Sequence, residues 1–134
     1  MLFRSAYKQK WLKYTALYVS EKELEQMTEE YDCGFCALNE EMFEHDALIF
    51  DGGQFDEVWL CHKGGEPYVG MKCKGFPNFG IWSVKDAPFV CLEPWMGRCD
   101  DVGFDKELSE KPYINKVKPG ESFEQSYEIL TAEC

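Results

Sequence analysis

The chain has 134 residues, of which 45% are apolar and 16% aromatic, and 25 acidic residues face 14 basic ones. This composition excludes a disordered chain. The length predicts a single domain spanning residues 1–134 that can bury a hydrophobic core without disulfide bonds or a structural metal. The net charge of −11 repels phosphate groups, so we expect neither nucleic acid nor a membrane surface as a partner.

The amino terminus and the cysteines indicate the compartment. Residues 1–5 lead directly into Lys8, Lys10 and Lys13 with no apolar stretch behind them, which is not typical of a signal peptide. No run approaches membrane-spanning length. The seven cysteines are irregularly spaced, so we expect reduced thiols in a cytoplasmic protein rather than a disulfide framework.

Secondary-structure signals change along the chain. Ser20 and Glu23 form a candidate capping box for a short helix in the polar first 32 residues. From Asp46 onward, short apolar runs alternate with glycine and proline, at 47–50, 58–61, 68–71, 80–83 and 88–92. This spacing predicts an all-β fold, an antiparallel β-sandwich, with the pairs Gly52-Gly53 and Gly64-Gly65 as hairpin signals.

The carboxy-terminal part predicts a long loop and a last strand. Residues 96–113 contain glycine and charges without periodicity, and long loops on β scaffolds often carry function. After a turn at 118–121, Phe123, Tyr127 and Ile129 alternate with polar residues. This alternation predicts a strand with those three side chains on a buried face.

The most informative stretch is Phe89-Val90-Cys91-Leu92-Glu93-Pro94-Trp95. Glu93 follows an apolar run and precedes a proline, so we expect it at a strand end, facing a cavity. Apolar surroundings disfavour the charged form of a carboxylate, which suits a general acid or base.

The same stretch resembles the signature of the LacX-like branch of the aldose 1-epimerase (galactose mutarotase-like) family. Three further segments are similar to the family in the expected order, at 38–50, 76–83 and 116–123. Together the matches cover roughly residues 36–130. The resemblance is to the carboxy-terminal half of the family, and the amino-terminal half is absent.

The resemblance implies part of a galactose-mutarotase-like supersandwich that interconverts the α and β anomers of a hexose or hexose phosphate. No metal and no organic cofactor is needed for that chemistry. Glu93 matches the family's catalytic base. Asp46 matches an acidic residue that contacts sugar hydroxyls, and Trp95 beside the base is expected to form a wall for the sugar ring.

The general acid stays unassigned, because the family's histidine lies in the absent half. The chain contains only His45 and His62, and neither stands in the family histidine's sequence context. A sandwich cut in two would leave unpaired strand edges and an uncovered apolar face. Two alternatives follow: a truncated form that is inactive by itself, or a chain whose surfaces are covered in a homodimer or by pairing with an amino-terminal half.

Three other interpretations stay open. Cys33 and Cys36 form a C-x-x-C motif, although the acidic residues before it oppose the low thiol pKa that redox chemistry needs. The same pair could join Cys61, His62 or Cys73 in a zinc site, although the spacing is not that of paired knuckles. A non-catalytic carbohydrate-binding module of mutarotase-like fold is the main alternative to an enzyme.

Overall fold

The computed structural model describes residues 2–6, 14–15, 34–62 and 65–132. These residues contain strands and two short 3-10 helices, at Glu40–Phe43 and Leu108–Glu110. The strands are β1 Leu2–Ala6, β2 Tyr14–Thr15, β3 Gly34–Ala37, β4 Leu48–Asp51, β5 Glu57–Cys61, β6 Pro67–Lys72, β7 Asn78–Trp82, β8 Cys91–Trp95 and β9 Glu128–Thr131. The predicted all-β class is confirmed. The candidate helix after Ser20 lies outside the described residues.

The strands other than β3 form two antiparallel sheets. The larger has the order β2-β1-β5-β6-β9, and the smaller has the order β4-β7-β8. Both sheets contribute to one cluster of buried side chains: Cys36, Leu38, Phe50, Phe55, Val58, Leu60, Cys73, Phe76, Phe79 and Ile81. Two sheets that share one core form a β-sandwich, as the sequence predicts.

Aromatic packing fixes the segment that crosses from the smaller sheet to the larger one. Phe55 lies in the segment that crosses from β4 to β5, and its ring centroid is 4.9 Å from that of Phe50 and 5.6 Å from that of Phe79. Tilted and edge-on contacts of this kind stabilise a core beyond simple burial. The backbone N–H of Cys73 donates to the Asp56 carbonyl at 2.8 Å, which anchors the end of the same crossing.

The two glycine pairs play different parts. Gly52 and Gly53 both have positive φ, but they follow β4 in the smaller sheet and lead to β5 in the larger one. The prediction of a hairpin there is therefore wrong, because a turn that accepts positive φ can equally well send the chain across the sandwich. Of the second pair, Gly65 lies in the β5–β6 hairpin, with φ +96°, and Gly64 is outside the described residues.

The last strand is shorter and more exposed than its alternation predicts. β9 begins only at Glu128, and Ile129 is 66% exposed although it pairs with Met71. The prediction of a buried face is wrong because the core cluster contains no residue of β9. Before the strand, the exposed ring of Tyr127 contacts Phe76, and Phe123 is also exposed.

Further observations concern membrane-spanning helices and the cysteine thiols. No helix in residues 34–62 or 65–132 has the length and apolar character needed to cross a bilayer. Cys36, Cys73, Cys91 and Cys99 carry free thiols. Burial, and after it the charges of Asp56 and Glu57, raises the pKa of the Cys73 thiol to about 12.

A glycine in β6 tests the packing of the larger sheet. Gly70 pairs with Trp59, and a Cβ atom at Gly70 would overlap the Trp59 indole. Gly70→Ala should therefore lower the free energy of unfolding by about 1–3 kcal/mol, measured by urea denaturation. The control is Gly97→Ala, whose nearest contact would be the Tyr113 carbonyl at an ordinary 3.6 Å. Equal stability of the two variants would contradict this packing.

Candidate functional site

Glu93 lies within β8, paired with Gly80 of β7, and not at a strand end. The prediction that Pro94 ends the strand is wrong, because β8 is an edge strand of the smaller sheet. An edge strand tolerates a missing N–H when that position faces away from its neighbour. The strand therefore continues through Pro94 to Trp95.

The alternation of β8 decides which face carries the carboxylate. Leu92 and Met96 pack against the buried core, and Leu92 is paired with Ile81, which is fully buried. Successive side chains of a strand point to opposite faces. Cys91, Glu93 and Trp95 therefore share the face that points away from the core, and all three are half-buried.

Trp95 holds the Glu93 side chain. Its indole Nε1–H donates a hydrogen bond of 3.0 Å to Glu93 Oε2. The indole lies across Gly80, where a Cβ atom would come within 2.5 Å of Trp95 Cζ2. The glycine thus gives the indole room to lie flat on β7 and to reach back to the carboxylate.

The larger sheet repeats this arrangement. In β5, Trp59 Nε1–H donates to Glu57 Oε1 at 2.6 Å, and the indole lies over Gly70. A glutamate two residues before a tryptophan therefore serves to accept the indole N–H in both sheets, and this hydrogen bond alone does not indicate a functional site. A cleft adjoins Trp95, the tryptophan that holds Glu93.

That open cleft has a volume of about 520 Å³ and lies between the end of β8 and the long loop after it. It is lined by Trp95, Gly97, Arg98, Cys99, Lys111, Tyr113, Ile114 and Asn115. The loop is fastened to the strand end, since Asn115 Nδ2 donates to the Met96 carbonyl at 3.2 Å. Aromatic walls with a few polar groups are typical of sites for small molecules.

Both cations of the cleft have acidic partners. Lys111 Nζ is 2.8 Å from Asp100 Oδ1. Arg98 Nη1 donates to Asp101 Oδ1 at 2.6 Å, and this hydrogen bond raises the pKa of the guanidinium. Arg98 Nη2 is also 3.8 Å from Asp51 Oδ2, and the guanidinium lies 5.4 Å from the Tyr113 ring centroid.

Two buried polar groups next to this cluster have no hydrogen-bond partner in the described part of the chain. They are the side-chain amide of Asn78, which is 1% exposed, and Arg98 Nε. Asn78 is paired with Asp51 on one side and with Trp95 on the other. Unsatisfied buried groups are costly, so this end of the sheet is suited to an ordered water.

Asp46 lies apart from Glu93. It is exposed, has φ +84°, and accepts a hydrogen bond from the Ala47 N–H at 2.8 Å through its own side chain. It lies three residues before Ile49 of β4. Ile49 is paired with Gly80 of β7, and Gly80 is paired with Glu93 of β8, so Asp46 precedes one outer strand of the smaller sheet, Glu93 lies in the other, and the two are not opposite each other. Its role in sugar binding stays a prediction.

The structure brings neither histidine to Glu93. His45 is exposed in the turn before β4. His62 directly follows β5 in the larger sheet, at the strand end where the sequence predicts it. Its ring contacts that of Tyr68, with the ring centroids 5.5 Å apart.

The alternative cysteine sites fall partly outside the described residues, since Cys33 is not among them. Cys36 is buried within β3 and not at the start of a helix. Among residues 34–62 and 65–132, no group of three or more His, Cys, Asp or Glu side chains is placed to hold a metal ion.

Several residues of this region were not singled out from the sequence. Gly80, Asp51 and Asn78 belong to the site only because of the strand register, and Tyr113 joins it through the long loop. Of these residues, Tyr113 has a signal in the sequence, because the loop after Glu93 is long and lacks periodicity.

Comparison with known proteins gives two relatives. The chain is similar to the chromosomal and the plasmid forms of Protein LacX of Lactococcus lactis subsp. lactis, each 31% identical over 93 residues. The match covers 69% of this chain and 31% of each relative, so the chain spans about a third of the length of the curated relatives it matches. No family model matches the chain, and no solved structure matches it.

The Cys91 thiol reports on Glu93. Burial, followed by the charge of Glu93 and a hydrogen bond to it, raises the pKa of Cys91. Alkylation requires the thiolate. Iodoacetamide at pH 8 should therefore modify the exposed Cys99 before Cys91, and Glu93→Gln should accelerate modification of Cys91, as followed by peptide mass mapping.

The matched control for this experiment is Glu57→Gln, which removes the equivalent carboxylate of the larger sheet. It should leave the alkylation rate of Cys91 unchanged. A Cys91 rate that is the same in wild type and Glu93→Gln would show that the two side chains do not interact.

Proposed function

We propose that this chain carries the carboxy-terminal part of an aldose 1-epimerase-like site, which interconverts the α and β anomers of a hexose or hexose phosphate. Three findings support the proposal: the resemblance of four sequence segments to that family, the similarity to the LacX proteins, and the geometry around Glu93.

In the proposed reaction Glu93 acts as the base. Its carboxylate takes the proton from the C1 hydroxyl while an acid gives a proton to the ring oxygen. The bond between C1 and the ring oxygen breaks, and C1 becomes an aldehyde carbon. After rotation about the C1–C2 bond, the same proton transfers run in reverse and close the ring on the other face. The step is redox-neutral and returns every proton, so it consumes no co-reactant.

The observation that carries the proposal is the fixed position of Glu93 on a half-buried sheet face. The Trp95 indole N–H holds Oε2 at 3.0 Å, and the apolar core lies behind the strand through Leu92. A positioned carboxylate needs no reorganisation before it accepts a proton.

The substrate-binding roles follow from the resemblance. Trp95 lines the cleft beside Glu93, which is a suitable place for the wall of a sugar site. Asp46 is exposed and able to accept hydrogen bonds from hydroxyl groups. For the chain's environment, we propose a cytoplasmic protein with reduced thiols and a small-molecule sugar as its ligand.

A non-catalytic carbohydrate-binding module is the second candidate. It is favoured by the positions of His45 and His62, since neither lies beside Glu93 to serve as the acid. The chain also spans about a third of its relatives' length.

We propose that a homodimer or an amino-terminal half completes the site, and the exposed Phe123, Tyr127 and Ile129 are candidates for that contact.

Anomer exchange measured by NMR saturation transfer tests the proposal, with glucose, galactose and glucose 6-phosphate as substrates. Wild type should exchange anomers faster than buffer, and Glu93→Gln should reduce the excess rate by roughly a hundredfold or more, because the base is lost. Both proteins are measured at the same concentration and pH.

Glu57→Gln is the matched control, because it removes the other carboxylate that accepts an indole N–H. It should keep the wild-type exchange rate. An equal loss in both variants would trace the effect to folding, and exchange that survives Glu93→Gln would remove Glu93 as the base. Sugar binding without exchange would favour the binding module.

A further inference from the structure

A second tryptophan flanks Glu93 on the side away from Trp95. Trp82 ends β7 and is paired with Cys91, two residues before Glu93. Residues that are diagonal across antiparallel strands lie roughly 7–8 Å apart, within reach of an aromatic side chain. Trp82 and Glu93 are such a diagonal pair on the face away from the core.

Local contacts hold the half-buried Trp82 ring against Phe89. Its centroid lies 5.8 Å from that of Phe89, which is 46% exposed. The Ser83 hydroxyl donates to the Phe89 carbonyl at 2.7 Å and fixes the segment that carries this ring. Ile49, on the same face, is 43% exposed. The aromatic surface is therefore preorganised, which lowers the entropic cost of binding a ligand.

Acceptors border this surface. Glu93 lies on one side of Trp82, and Asp46 precedes β4 at the end of the small sheet where Trp82 ends β7. A pyranose presents C–H bonds on one face and hydroxyl groups around its edge, so an aromatic plane bordered by carboxylates matches it. An apolar protein partner would leave those carboxylates without hydrogen bonds.

Trp95 is less suited to be the main stacking surface. One face of its indole lies on Gly80, and its N–H is already engaged by Glu93. Trp82 is half-buried, and within the described part of the chain its indole N–H makes no hydrogen bond to another side chain. The two tryptophans therefore have different parts, one holding the carboxylate and the other facing the ligand.

We propose that Trp82, supported by Phe89, is the platform on which the aldose ring stacks, with C1 turned toward Glu93. The assignment deepens the proposed function and rests on it for the orientation of C1. Ring binding by Trp82 itself does not require turnover.

Methyl α- and β-glucosides and methyl galactosides test the platform, because their blocked anomeric oxygen allows binding without ring opening. Titration followed by the tryptophan indole ¹⁵N–¹H signals should move the Trp82 signal most, with each signal assigned by Trp→Phe substitution. Trp82→Ala should raise the dissociation constant of the best-binding glycoside by about tenfold, and Trp82→Phe, which keeps a ring, by less.

Two further variants separate the platform from catalysis. Tyr68→Ala removes an exposed ring of the larger sheet and should leave glycoside affinity unchanged. Glu93→Gln should abolish anomer exchange with at most a small change in glycoside affinity. Trp82-dependent binding without exchange in wild type would support the platform and refute the enzyme.

Other results overturn the platform. One is anomer exchange by wild type that is unchanged in Trp82→Ala. A second is glycoside binding that moves only the Trp95 or the Trp59 indole signal. A third is the failure of wild type to bind any of these glycosides. Trp82→Phe, with an unchanged pattern of backbone amide signals, keeps the test valid if Trp82→Ala does not fold.

Discussion

The packing of Leu92 opposite Ile81 is the contact on which the candidate site depends. Ile81 is fully buried between the two sheets, and Leu92 packs against the same core from the neighbouring strand. A slip of one residue in this pairing would turn Glu93 into the core and Leu92 outward, so the register is strongly specified by burial. The apolar positions of β8 thus determine where its carboxylate lies, although they take no part in any chemistry.

Glycine and tryptophan then convert that face into a shaped surface. Gly80 allows the Trp95 indole to lie flat, and the indole N–H reaches Glu93 from there. The larger sheet uses Gly70, Trp59 and Glu57 in the same way. The shared arrangement is thus a packing solution of this fold. The proposed function of Glu93 rests instead on its neighbours, which are the cleft at Trp95 on one side and the Trp82 ring on the other.

The sequence predicts the strands well and their partners poorly. Apolar runs and turn residues locate β4 to β7, because both are local signals. Sheet membership is not local, which is why Gly52-Gly53 looks like a hairpin and Ile129 looks buried. Glu93 is identifiable from its own segment, whereas Asp51 and Gly80 become neighbours only through strand pairing. Pro94 misleads for the same reason, since its effect depends on whether β8 has a partner on both sides.

The groups that hold Glu93 bear on its suitability as a base. The contacts recorded for its carboxylate are with neutral donors, the Trp95 indole and the Cys91 thiol. Arg98 instead pairs with Asp101 and Asp51. A cation beside a carboxylate stabilises the charged form and opposes protonation more strongly than a neutral donor does. Glu93 is thus held by neutral donors rather than by a cation, which is consistent with its proposed role as the base.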